Sequence, residues 1–168
     1  MDMDGFIDWV LLEGYCANVD IKSNLRYFRT GDEPWQIAFY DLDWAFQTRS
    51  NCFFNLIGSE QTAQIAPTIR WLFGIDDFKE RLLTRYAELT ETTLSDEHVT
   101  EKIDEFRALL APEIARERAH WGGSEEGWNE QVDALRANIA DDYAAHTVRN
   151  LCSILGMGDE ERMEYFGF

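Results

Sequence analysis

A predominantly α-helical fold with one small β-hairpin, of the α+β class, is what this sequence predicts, on three observations. Apolar residues recur at helical spacing over residues 4–17 and again from about residue 63 onwards. Two short runs rich in aromatic and branched residues, 25–30 and 35–40, flank Gly31, Asp32, Glu33 and Pro34, a hairpin pattern. The 168 residues are 45% hydrophobic and 14% aromatic, enough for one sizeable core, so a single domain over 1–168 is expected.

Taken in order, Phe6, Trp9, Val10 and Leu12, with Glu13, define a core helix. Asp4 is its expected N-cap, and Gly14 loosens its last turn. Residues 1–8 therefore read as the start of a helix rather than as a leader. Residues 18–24 are too rich in capping and turn residues to continue as regular structure. In the second strand of the hairpin Trp35, Ile37 and Phe39 share a face. If the extended conformation persists, Asp41 and Asp43 keep that parity while Tyr40 and Leu42 face the other way. Helices are expected over roughly 64–73, 76–92, 95–119, 125–147 and 148–155, with a short segment around 159–166. Asp76 and Ser95 mark starts; Gly74, Gly122, Gly123 and Gly156 mark stops.

Charge narrows the partners. Lys and Arg number 15 against 32 Asp and Glu, a formal net charge of −17, which repels polyphosphate backbones and anionic lipid surfaces. Nucleic acid is therefore not an expected partner. No apolar run reaches the roughly 18–20 residues that span a bilayer. Cys16, Cys52 and Cys152 have neither zinc-site spacing nor an even count, and read as buried thiols. His98, His120 and His146 are too scattered for a hydrolytic triad. Trp9, Trp35, Trp44, Trp71, Trp121 and Trp128 read as core and hairpin packing rather than a sugar-stacking platform.

The local signal that carries chemistry is Asp20 and Asn24 on one loop, followed by a hairpin that ends in Asp41 and Asp43. A few oxygen ligands, completed by phosphate and water, suit a hard cation such as magnesium. The same parts serve phosphoryl transfer, in which one Asp orients the attacking hydroxyl while an Asn and a second Asp hold the metal. The competing reading is that Asp20 and Asn24 make turn hydrogen bonds and that Asp41 and Asp43 cap the next segment. Lys22, Arg26 and Arg29 form a locally basic patch that either meets a phosphate or pairs with Asp32 and Glu33. A two-carboxylate glycosidase is disfavoured, because an Asp–Asn pairing suits a metal better than an acid–base couple.

Three stretches are distinctive: Phe6-Ile-Asp-Trp9; Asn18-Val-Asp20 with Asn24-Leu-Arg-Tyr-Phe-Arg29; and Trp35-Gln-Ile-Ala-Phe-Tyr-Asp41-Leu-Asp43-Trp-Ala-Phe46. Together they resemble the spore coat protein H (CotH) kinase-like family, and the likeness continues weakly through the helical remainder. The resemblance implies an atypical protein-kinase-like fold. ATP, with Mg²⁺ or Mn²⁺, would donate its γ-phosphate to Ser or Thr hydroxyls of a protein substrate. By that resemblance Asp20 looks like the catalytic-loop acid and Asn24 the metal-binding amide. Asp41 looks like the metal-binding acid that meets the nucleotide, and Asp43 is a second ligand or a support for the loop. Many relatives carry paired Asn residues where this chain has Ser23 and Asn24. No glycine-rich hairpin or ATP-positioning Lys precedes Phe6, so the chain is expected to correspond to the C-terminal lobe of a longer protein and to be inactive or nearly so alone. Spore coat or another extracytoplasmic location is implied by the family. The alternative is a non-catalytic coat or surface scaffold that keeps the fold without the chemistry.

Overall fold

The structure, a computed structural model, describes residues 1–21, 24–47, 49, 52–58 and 64–168, with Cys52 described by its backbone alone. Among these residues the order is α1 (Met3–Tyr15), β1 (Tyr27–Phe28), β2 (Gln36–Ile37), α2 (Cys52–Gly58), α3 (Ala66–Phe73), α4 (Asp76–Glu91), α5 (Asp96–Trp121), α6 (Glu125–Ala140), α7 (Tyr143–Leu155) and α8 (Asp159–Phe166). The chain is mostly helical with a two-stranded antiparallel sheet, in the α+β sense expected. No helix among the described residues is long and apolar enough to cross a membrane.

Two compact units divide the chain, one made of Met1–Glu88 with Thr147–Phe168 and the other of Leu89–His146. In the first, α1 is buried along most of its length: Phe6, Ile7, Trp9, Val10, Leu11, Glu13, Gly14 and Tyr15 are all covered. Its N-cap is Asp2, whose carboxylate accepts from the Gly5 backbone N–H at 3.1 Å. Asp4, the expected cap, sits in the first turn and pairs with Arg81. Gly14 has a packing role. A Cβ there would lie 2.1 Å from the Phe53 ring, so only glycine lets α2 approach α1 this closely. Phe53 in turn meets Tyr86 edge-on at 5.7 Å, and the Tyr86 hydroxyl donates to Thr147 Oγ1 at 2.6 Å.

The hairpin pairs Tyr27 with Ile37 and Phe28 with Gln36, a shorter ladder than the two sequence runs. It is tied to the start of α1, because the Asp2 N–H donates to the Trp35 carbonyl at 2.7 Å. Only Ile37 of its outer residues is buried; Trp35 and Phe39 are exposed.

In the second unit, Ser95 caps α5 as expected, accepting from the His98 N–H at 3.2 Å. The helices expected over 125–147 and 148–155 are both present as α6 and α7, but the boundary between them falls earlier than expected. They part at Asp141 and Asp142, the latter with φ of 57°. Asp96 then accepts from the Tyr143 and Ala144 N–H groups at 3.0 and 2.8 Å, capping the new helix from a distance in sequence that periodicity does not register. Helix α2 is likewise absent from the sequence expectation.

Candidate functional site

Helix α1 ends in a Schellman arrangement. Asn18 N–H reaches the Glu13 carbonyl at 3.4 Å and Ala17 N–H the Gly14 carbonyl at 3.3 Å, with Ala17 at φ 53° in the left-handed region. This geometry throws the chain off the helix axis and turns the Asn18 side chain back towards Glu13. Both residues are buried, and Asn18 Nδ2 donates to Glu13 Oε2 at 2.9 Å. Burial pushes the Glu13 carboxyl up to about 7, while the Asn18 amide and the Trp9 indole pull it partway back. The other end of the Asn18 amide acts forward: its Oδ1 accepts from the Asp20 N–H at 3.1 Å, an Asx turn that sets the direction of the loop.

The same loop brings Asp20 and Asn24 together. Asn24 Nδ2 donates to the Asp20 carbonyl at 2.9 Å and lies 3.5 Å from Asp20 Oδ2, while Asn24 N–H donates to the Ile21 carbonyl at 3.0 Å. Both side chains are half-buried. With its amide nitrogen engaged inward, Asn24 offers its Oδ1 as the acceptor atom for a ligand. Lys22 and Ser23, between them in sequence, lie outside the described residues.

Past the hairpin, the extended backbone does not persist. Asp41 takes φ of 61°, a left-handed conformation that Asp tolerates better than most residues, and a turn follows with Ala45 N–H donating to the Leu42 carbonyl at 2.9 Å. The strand parity that would have aligned Asp41 with Asp43 therefore ends at Asp41. The turn is fastened to α1: Phe46 N–H donates to the Cys16 carbonyl at 2.7 Å, and the Phe46 ring meets Tyr15 edge-on at 6.1 Å. The two arms of the site thus hang from one helix end, the Asp20 loop through Asn18 and the Asp41 turn through Cys16.

Between them opens a cavity of about 420 Å³ lined by Val19, Asp20, Trp44 and Asn55. Asp41 and Asp43 are exposed. Among the described residues no three His, Cys, Asp or Glu side chains gather into a cation site. Asp20, Asp41 and Asp43 accordingly do not form a closed carboxylate cage.

Glu13, Asn18, Trp44 and Asn55 were given no role at the site by sequence. Glu13 had a readable signal, an acid on the apolar face that carries Phe6, Trp9 and Val10. Of the basic patch, Arg26 donates to the Leu25 carbonyl at 2.9 Å, and Arg29 stands 5.4 Å over the Trp35 ring. The tryptophans depart from the expected core: Trp9 is buried, but Trp35, Trp44, Trp71 and Trp121 are exposed. Cys16 and Cys152 are buried thiols, as expected.

Fold and site together define a mostly helical protein in which an acid–amide loop and the turn after the hairpin leave the same helix end and share a cavity through Asp20 and Trp44. A family model described as CotH kinase protein matches residues 1–144, and the chain belongs to that family. No curated protein and no solved structure matches it.

Proposed function

We propose that this chain is the C-terminal-lobe portion of an atypical protein kinase that transfers the ATP γ-phosphate to Ser or Thr hydroxyls of a protein. The observation that carries the reading is the hydrogen bond from Asn24 Nδ2 to the Asp20 backbone carbonyl at 2.9 Å, beside the cavity that Asp20 shares with Trp44. Family membership supplies the context.

In this reading Asp20 accepts a hydrogen bond from the substrate hydroxyl and aims its oxygen at the phosphate. Asn24, through Oδ1, and Asp41 would hold Mg²⁺ or Mn²⁺, with Asp43 a second ligand or a support for the turn. The cation, when bound, neutralises phosphate charge and orients the nucleotide. The chain's own contribution is placement. One loop holds Asp20 and Asn24 together and a turn fastened to the same buried helix carries Asp41, and such positioning supplies most of the catalysis available in phosphoryl transfer. A formal charge of −17 disfavours an anionic nucleotide without a cation, so binding should require the metal.

Calorimetric titration with Mn²⁺ and ATP together tests this on the unaltered chain and on Asp41→Asn, which removes the charge while tolerating the left-handed backbone. Metal-dependent nucleotide binding weakened at least ~10-fold in the variant, with helical content unchanged, supports the reading. Equal binding by both would remove Asp41 from the site. No binding by this chain alone would show that the nucleotide needs an N-terminal lobe as well, whereas no binding by a longer chain that carries such a lobe would favour the scaffold alternative.

A further inference from the structure

We infer that Glu13 is a positioning residue for Asp20, its buried carboxylate fixing which way the Asn18 amide faces and so holding the Asp20 backbone N–H in place. The inference rests on the catalytic role proposed for Asp20. A carboxylate is an acceptor only, so it demands the Nδ2 end of Asn18, and the Oδ1 end is then the one presented to Asp20. Both contacts are present, at 2.9 and 3.1 Å, and Glu13 and Asn18 are 3% and 1% exposed. Water therefore offers no ready substitute for either partner. Protonating Glu13 would remove this discrimination, because a carboxylic acid accepts at one oxygen and donates at the other.

Among the described residues, α2 and β2 pack most closely against α1, and their residues CFFNLIG and QI include no Asp, Glu, Lys, Arg or His. From α4, Arg81 and Arg85 reach α1 but are paired with Asp4 and Asp8, one or more turns before Glu13. Within its own helix the Trp9 indole faces it, and from the loop the Asn18 amide. His98, His120 and His146 all belong to the other compact unit.

The test is a pH titration by NMR of the unaltered chain and of Glu13→Gln, following the Glu13 carboxyl carbon and the Asp20 backbone amide between about pH 5 and 9. The expected result is a shared midpoint near 7 in the unaltered chain. The Asp20 step should vanish in Glu13→Gln, whose amide oxygen still accepts from Asn18 but does not titrate. An Asp20 amide that stays still while the Glu13 carboxyl titrates would overturn the inference, as would an Asp20 step that persists in Glu13→Gln. Titrations with Mn²⁺ and ATP on the same samples separate the two claims. Nucleotide affinity that follows the Asp20 step supports a positioning role in binding. Should no sample bind nucleotide, this lobe does not hold it unaided, and the Asp20 amide still decides whether Glu13 positions it.

Discussion

Where the unit of Met1–Glu88 with Thr147–Phe168 buries whole rings and branched chains, including Tyr15, Phe53, Leu82, Leu83 and Tyr86, the unit of Leu89–His146 buries little. Among the described residues of the latter, Leu89, Leu94, Thr100, Ile114, Ile139 and Tyr143 are covered. On α5, Phe106, Leu109 and Trp121 are 59%, 70% and 76% exposed. Helices α5 and α6 are joined in large part by polar contacts: Arg107 reaches Asn129 at 2.6 Å and Asp133 at 2.5 Å, and Arg136 reaches Asp104 at 2.9 Å. Close packing holds side chains to one geometry, whereas exposed ion pairs add little energy and tolerate rearrangement. All four candidate site residues lie in the close-packed unit, where a loop can be held to the tolerance that phosphoryl transfer requires.

The contrast can be broken first at Phe53. Phe53→Ala opens a hole beneath Gly14 and Tyr86 and is expected to cost about 3–5 kcal/mol in urea denaturation. A loss under about 1 kcal/mol would mean that this core is not close-packed. Next in size is the pH dependence from Glu13. Its carboxyl rises from 4.5 to about 7 in the folded chain, which therefore holds the proton more tightly than the unfolded chain does. Its contribution to stability is present at low pH and is lost as pH climbs from about 4.5 through about 7, on the order of 3 kcal/mol in all. Glu13→Gln should flatten that part of the stability–pH curve, and an unchanged slope would place the Glu13 titration elsewhere.

Gly14→Ala is expected to cost about 1–3 kcal/mol, because the added Cβ overpacks against Phe53 and α2 must shift. Combining it with Phe53→Leu should recover part of that loss, measured by the same denaturation curves. Smallest is Arg107→Ala, expected to cost no more than about 1 kcal/mol, since its partners Asn129 and Asp133 can turn to water. A loss as large as that of Phe53→Ala would erase the distinction between the two units.

Much of this architecture was legible in the sequence where local chemistry decides it. The Ser95 cap, the stops at Gly74 and Gly156 and the hairpin around Gly31 follow from residue type and spacing alone. The failures have a common cause in contacts from afar. The break at Asp141 and Asp142 depends on Asp96, over forty positions earlier, and α2 is a short helix whose place is set by Phe53 against Gly14. At the site, the residue types of Asp20 and Asn24 were readable, and so was their proximity, because four positions and one loop separate them. What the sequence did not disclose is that the Asp41 turn leaves the strand and returns to α1. The left-handed backbone of Asp41 and the Phe46–Cys16 hydrogen bond carry no periodic signature. Ala17 displaced the expected helix end by two residues, from 15 to 17, since the left-handed position it fills is usually glycine.

The central claim is that one metal–nucleotide site lies where these two arms meet. Paramagnetic broadening of backbone amide signals by trace Mn²⁺ in the presence of ATP tests it most directly, because the effect falls steeply with distance from the ion. The account predicts that Asp20, Asn24, Asp41 and Asp43 broaden first and together, and that ATP sharpens this preference. Broadening that begins instead on the acidic faces of α5 and α6, unaffected by ATP, would contradict it and reduce the metal to a counterion of an acidic surface.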